Sequence, residues 1–273
     1  MKIGVRAHDF GRFSSIAQQA ETIKKAGFDC VQYALAKAIE GINHFDEITP
    51  EVLHEIKTAF TQHDVEISVL GCYIEPSLED KSERLNNVRI FCDNLSHAKF
   101  LGVPIVGTET TALSINALQS KREGALERLK DSVLRMAEKA EAENILIGIE
   151  PVVEHTLNTA ALAKCLLDEV GSDKVRIIFD PVNMVLPRII QDQDRMFTRF
   201  FELLGDKIEV MHIKDTAIEN NKKVWRKIGE GVINYKLIFD WLKKNKPDIR
   251  LLREGVKMDS FHEDIIAMKN LSK

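Results

Sequence analysis

Four residues in the second half of the chain carry the chemistry of a divalent-metal site: Glu150 in IGIEP, Asp180 in IIFDPVN, His212 in VMHIKD and Glu254 in LLREG. Each closes a short aliphatic run, and the spacing stays close to about 30 residues, the length of one strand–helix unit. One acid at the end of such a run is commonly a helix cap, and a lone His in IEVMHI reads as a satisfied core histidine. Four in succession are harder to dismiss, because a charge in an apolar strand is costly unless something pairs with it. Three carboxylates and an imidazole make a hard, oxygen-rich donor set. It suits one Mn²⁺ ion best, with Mg²⁺, Co²⁺ and Zn²⁺ as alternatives.

Ligands drawn from four separate runs need a fold that aims them at one point. Candidate strands occupy 2–7, 29–34, 66–71, 104–109, 145–150, 175–180, 208–213 and 249–254. Several are near-continuous β-branched and aliphatic runs, as expected of parallel strands buried on both faces. Amphipathic helical runs lie between them. Thr49-Pro50-Glu51 places an N-cap before Pro at the first helical position, and Asn158 is read as opening TAALAKCLLDEV. Gly27, Gly102, Gly171 and Gly205 follow helical runs, where positive φ commonly ends a helix. Eight strand–helix units predict one (β/α)₈ barrel domain spanning residues 1–273. An open doubly wound sheet loses support because GVRAHDF, after the first strand, holds neither GxGxxG nor GxxxxGK. In a barrel, the C-terminal strand ends share one mouth, where active sites are built.

Bulk properties narrow the function. The chain has 273 residues, 44% hydrophobic and 29% charged, with a net charge of −4. Basic residues are scattered, so no nucleic-acid partner is expected. No apolar stretch approaches the roughly 20 residues needed to span a bilayer, and no membrane partner or leader is expected. Cys30, Cys72, Cys92 and Cys165 lie far apart without a CxxC pair and read as buried free thiols of a cytoplasmic protein.

Taken in order, IGIEP, IIFDPVN, VMHIKD, KIGEGVINY and LLREG resemble the xylose isomerase-like TIM-barrel family of sugar and sugar-phosphate isomerases and epimerases. The match is specific over the second half of the chain and rhythmic over the first. The resemblance implies one divalent metal held by Glu150, Asp180, His212 and Glu254. It further implies, by likeness to D-tagatose 3-epimerase, that Glu150 and Glu254 transfer protons. The chemistry is coherent: a proton α to a carbonyl is very weakly acidic, and a Lewis-acidic cation stabilises the enolate. Two glutamates on opposite faces of a cis-enediolate would invert a stereocentre, whereas one serving adjacent carbons would interconvert aldose and ketose.

The sequence also departs from the family. Many relatives have a substrate-contacting His where Asn183 stands, and the epimerases carry an Arg soon after the His of VMHIKD, whereas here the first is Arg226. Asn183, Lys214, Glu109, Tyr73 and His155 are the candidate substrate contacts, with His8, Glu75 and Glu154 behind them. Lys214 could bind a hydroxyl or a phosphate, or equally pair with Asp215 or in the neighbourhood of Glu150. Trp225 with Val224 could form a lid or an oligomer contact, and Gly229-Glu230-Gly231 reads as a tight loop before the last helix. Phe197, Phe200 and Phe201 form either the barrel-facing stripe of one helix, the preferred reading, or a surface for homo-oligomer formation. The leading expectation is a metal-dependent isomerase or epimerase of a small sugar-like molecule. The alternative is a dehydratase of a cyclic keto-polyol such as an inosose or dehydroshikimate. A non-catalytic sugar-binding barrel is disfavoured by the glutamate pair. An endonuclease IV-like repair enzyme, which needs further metal ligands, is disfavoured as well.

Overall fold

The computed structural model describes residues 1–45 and 47–273. Eight parallel strands close into a barrel: β1 (Lys2–Arg6), β2 (Cys30–Tyr33), β3 (Glu66–Gly71), β4 (Ile105–Glu109), β5 (Leu146–Glu150), β6 (Val175–Phe179), β7 (Ile208–Ile213) and, after a hairpin, β10 (Arg250–Arg253). β10 pairs with both β7 and β1, which completes the ring. All eight lie within the predicted runs.

The helices form where their termini are satisfied. The main ones are α1 (Ile16–Ala26), α3 (Pro50–Gln62), α4 (Lys81–Leu101), α5 (Gln119–Glu143), α6 (Ala160–Val170), α8 (Gln193–Leu204), α9 (Tyr235–Asn245) and α10 (Phe261–Ser272). Two single turns, α2 (Leu35–Ala38) and α7 (Pro181–Met184), sit at the mouth directly after β2 and β6. Ser15, Thr49, Asp80 and Asn234 cap α1, α3, α4 and α9 by accepting from backbone amides. At α6 the cap is Thr159 and not Asn158: the Thr159 hydroxyl accepts from the Leu162 amide. Gly27, Gly102 and Gly171 end their helices with positive φ. Gly205 does not, since its φ is −58° and the chain runs on into a 3₁₀ turn. It is small because a Cβ there would lie 2.5 Å from Cζ2 of Trp241, whose ring stacks on Phe201.

Phe197, Phe200 and Phe201 are buried, packed around Phe179 at the end of β6. They are the barrel-facing stripe, and the reading as an exposed partner surface is withdrawn. The cysteines are free, but only Cys30 and Cys72 are buried; Cys165 is exposed, a correction to the expectation of buried thiols throughout. No described helix is long and apolar enough to cross a membrane.

The segment after β7 is more ordered than the sequence suggested. It folds as an antiparallel hairpin, β8 (Asp215–Glu219) and β9 (Lys222–Arg226). Asn220 and Asn221, both at positive φ, form its two-residue turn.

Inside the barrel, Cys30, Val69, Ile105, Ile178, Val210 and Leu252 form an apolar layer. Gly148 completes it, since a Cβ there would lie 2.9 Å from Ile105 and Ile178. Side chains alternate along a strand, so the inward residue two places on faces the mouth. From Gly148, Ile178, Val210 and Leu252 that residue is Glu150, Asp180, His212 and Glu254. The dry layer forms the floor of a polar site.

Candidate metal centre

One ligand atom from each of Glu150, Asp180, His212 and Glu254 lies within 4.8 Å of the others. Glu150, Asp180 and His212 are buried and Glu254 is nearly so. His212 Nδ1 is 3.1 Å from Glu150 Oε2 and 3.2 Å from Glu254 Oε2.

Each of the four commits one atom to the protein and turns the other toward the shared centre. Glu150 Oε1 accepts from Asn183 Nδ2 at 2.6 Å, which leaves Oε2 facing inward. Asp180 Oδ1 accepts from the Asn183 amide, while Oδ2 is buried and faces the Lys214 ammonium at 2.9 Å. The ring of His212 is set by Gln32, whose Oε1 lies 2.7 Å from Nε2, and the opposite nitrogen, Nδ1, is buried between the inward oxygens of Glu150 and Glu254. Glu254 Oε1 accepts from Lys214 Nζ at 2.6 Å and lies 3.2 Å from Arg6. Inward donor atoms on side chains tethered from behind are what a cation site needs. Ligand atoms around a small divalent ion sit roughly 3–4 Å apart, so only a slight contraction is required. The donor set fits a divalent cation.

Charge is balanced locally. Lys214 reaches Asp180 Oδ2 at 2.9 Å, Glu254, and Asn183 Oδ1 at 2.9 Å. Burial alone would raise Glu254, but the His212 hydrogen bond and the charges of Lys214, His212 and Arg6 hold it well below the usual carboxylate range. Burial would lower His212, yet Glu150 and Glu254 push it up to about 10. Asp180 is raised, by burial first and by the neighbouring Glu254 and Glu150 charges.

The candidate substrate contacts are brought around this centre unevenly. Asn183 and Lys214 join it directly. Tyr73 accepts from Gln32 Nε2 at 2.8 Å, two hydrogen bonds from His212. Glu109 ends β4 opposite Glu150 in register, and burial together with Glu150 and Glu254 raises its carboxyl to about 7. His155 lies 3.8 Å from Glu109. His8 packs edge-on against Tyr73. Glu75 and Glu154 are exposed.

Asp215 does not pair with Lys214. Its carboxylate accepts from the amides of Thr216, Gly229 and Gly231, so the Gly229-Glu230-Gly231 turn wraps an internal carboxylate. Trp225 is tied down, with Nε1 donating to the Gly255 carbonyl at 3.1 Å. Lys223, on the same hairpin strand, donates to the Val182 and Val185 carbonyls. The hairpin thus straps the turn behind Asp180 to the loop behind Glu254.

Sequence reasoning missed Arg6 and Gln32. Both follow the alternation that places the ligands: Arg6 is two residues past Gly4, and Gln32 two past Cys30, which faces the barrel interior.

Residues 20–260 match the family described as Xylose isomerase-like TIM barrel. The chain belongs to that family. No curated protein matches the sequence. Among solved structures, the apo 3-keto-D-glucoside 4-epimerase of E. coli aligns with a TM-score of 0.78 and 18% identity, covering 99% of each chain. A D-tagatose 3-epimerase-like protein aligns at 0.79 and 18%, over 99% of this chain and 97% of its own. A probable 3-DHS dehydratase of Bacillus anthracis aligns at 0.75 and 15%, over 100% and 99%. At such identities the likeness is one of fold.

Proposed function

We propose that this member of the family is a divalent-metal-dependent epimerase or isomerase of a small ketose-like substrate. The observation that carries the reading is the pair of carboxylates Glu150 and Glu254, whose Oε2 atoms flank His212 Nδ1 at 3.1 and 3.2 Å. Their strands are separated in the ring by β6 and β7, so they approach the centre from different sides. A cation bound by these residues, Mn²⁺ being the best match to the donors, would supply Lewis acidity toward a carbonyl oxygen.

The protein's own groups account for the rest. Glu254 is held ionised by His212, Lys214 and Arg6 and is the base that removes a proton α to the carbonyl. Glu150, anchored through Oε1 by Asn183, returns a proton from the other side. Asn183 and Lys214 fix the two carboxylates relative to each other through one continuous hydrogen-bonded path. Tyr73, Glu109 and His155 contact the remaining hydroxyls. The similarity to sugar epimerases supports the same reading at the level of fold.

A dehydratase is favoured by one observation. Glu109, raised to about 7, keeps a substantial protonated fraction at neutral pH and could protonate a departing β-hydroxyl. Incubating Mn²⁺-loaded protein with ketoses and cyclic keto-polyols in D₂O separates the outcomes. Epimerase or isomerase activity places deuterium at the carbon that changes, whereas loss of water gives an enone. Glu150→Gln and Glu254→Gln should each lower kcat by about 10²–10⁴ with substrate affinity held within about tenfold. Near-normal turnover in either variant, with deuterium-free product, overturns the two-glutamate scheme.

A further inference from the structure

Three polar groups around one tyrosine at the mouth are left unspent. Lys37, on the turn α2 directly after β2, holds Nζ 3.7 Å from the centroid of the Tyr73 ring. It has neither an ion-pair partner nor a hydrogen-bond acceptor among the described residues. The Tyr73 hydroxyl accepts from Gln32, and no described residue takes its own proton. His8 meets the same ring edge-on at 6.3 Å, and its Nδ1 is buried without a partner. Burial, and next the Arg6 charge, hold His8 down at about 4, so it is a neutral donor at physiological pH.

The nearby acids do not neutralise this corner. Asp9 Oδ1 and Oδ2 are taken by the Arg6 guanidinium, and Oδ2 also by the Gly255 amide. Glu254 Oε1 is shared between Lys214 and Arg6. Lys37 is solvent-exposed at this rim and makes no ion pair with Glu109, Glu254 or Asp9, the acids nearest it, while partial burial of its stem and then the Arg6 charge lower its pKa. Two hydrogen bonds, from His212 to Gln32 and from Gln32 to Tyr73, separate the corner from the candidate metal centre. That is a distance a short sugar chain spans. A neutral hydroxyl would satisfy one donor here and leave the exposed ammonium to water. An anionic oxygen group satisfies the ammonium, the phenol and the imidazole together.

From this arrangement we infer that the substrate carries an anionic group, a carboxylate or a phosphate ester, seated by Lys37, Tyr73 and His8 while its carbonyl end lies at the four-residue centre. This rests on the carbonyl chemistry proposed above and adds the substrate's charge class to it.

Calorimetric titration of Mn²⁺-loaded protein tests it with two matched sets. D-Ribulose is compared with D-ribulose 5-phosphate, and D-fructose with D-fructuronate, whose carboxylate lies at the end of the chain away from the carbonyl. At least one charged ligand should bind tenfold or more tightly than its neutral counterpart, with the advantage shrinking as salt rises. Which set shows it separates phosphate from carboxylate. Lys37→Met should abolish the advantage without changing Mn²⁺ binding or the neutral ligand's affinity, and Lys37→Arg should keep most of it. Tyr73→Phe, which removes only the hydroxyl, should weaken the charged ligand more than its neutral counterpart. Equal binding of neutral and charged ligands, binding of none of them, or an advantage that survives in Lys37→Met overturns the proposal. Failure of the metal reading looks different: Mn²⁺ fails to bind, or no deuterium is exchanged, while charge discrimination persists.

Discussion

The most telling feature of the centre at the residue scale is that all four side chains are restrained from behind. Three carboxylates gathered without a cation would repel, and His212 and Lys214 absorb that charge. A nitrogen poised between two carboxylates must lose its proton before it can donate to a metal. Since His212 is raised to about 10, metal binding near pH 7 should release about one proton from it. Titrations in buffers of different ionisation heat would show this, and a proton count near zero would contradict it. The sign for stability follows from the same shift. Without metal, His212 adds stability that is complete below its ordinary 6.5 and is lost as pH climbs through about 10. With metal bound, the imidazole is neutral and this contribution should vanish from the pH profile. Gln32 holds the ring from the opposite nitrogen, so Gln32→Leu should weaken metal binding by about 10–100-fold while the barrel stays folded. Unchanged affinity in a competition assay would remove Gln32 from the site. The cluster of four candidate ligands was legible because charge is conspicuous in an aliphatic strand. Arg6 and Gln32 were not, because an arginine near the N-terminus and an amide between Val31 and Tyr33 look ordinary until strand alternation is followed inward.

At the scale of elements, the eight barrel strands could be read because burial on both faces leaves near-continuous aliphatic runs. The hairpin could not. DTAIENNKKVWRK is polar enough to pass for a loop, and its one signal is the Asn-Asn pair at the turn. Yet the hairpin's cross-ties, Lys223 to the Val182 and Val185 carbonyls and Trp225 to Gly255, join the two loops that follow candidate ligands. Gly205 was misread for a different physical reason. Glycine after a helix usually marks positive φ, but here the backbone is right-handed and the constraint is space beside Trp241. Gly205→Ala should therefore cost about 1–3 kcal/mol by overpacking, disturbing the Phe201–Trp241 stack. Chemical denaturation checks this, and a neutral or stabilising result would show that the indole has room to move.

For the molecule as a whole, a barrel mouth lined with acids must remain folded without a cation, and Lys214 is the residue placed to allow this. Its Nζ lies within 2.9 Å of Asp180 and 2.6 Å of Glu254, with Asn183 as third partner, and its side chain is only 17% exposed. Removing one partner of a buried charge cluster typically costs about 3–5 kcal/mol, because the remaining charge is left uncompensated. Lys214→Met should thus destabilise the metal-free protein by a large part of that amount. A divalent cation held by the same carboxylates would restore the compensation, and any ligand bound only by the folded state adds stability of its own, about 2.7 kcal/mol at a hundred times its Kd. Unfolding curves of wild type and Lys214→Met, each with and without Mn²⁺, should then show a large deficit in the metal-free pair that narrows sharply in the loaded pair. The opposite pattern, an equal deficit in both, would mean that Lys214 acts through packing alone. It would also mean that the ammonium and the cation are not alternative answers to the same cluster of negative charge.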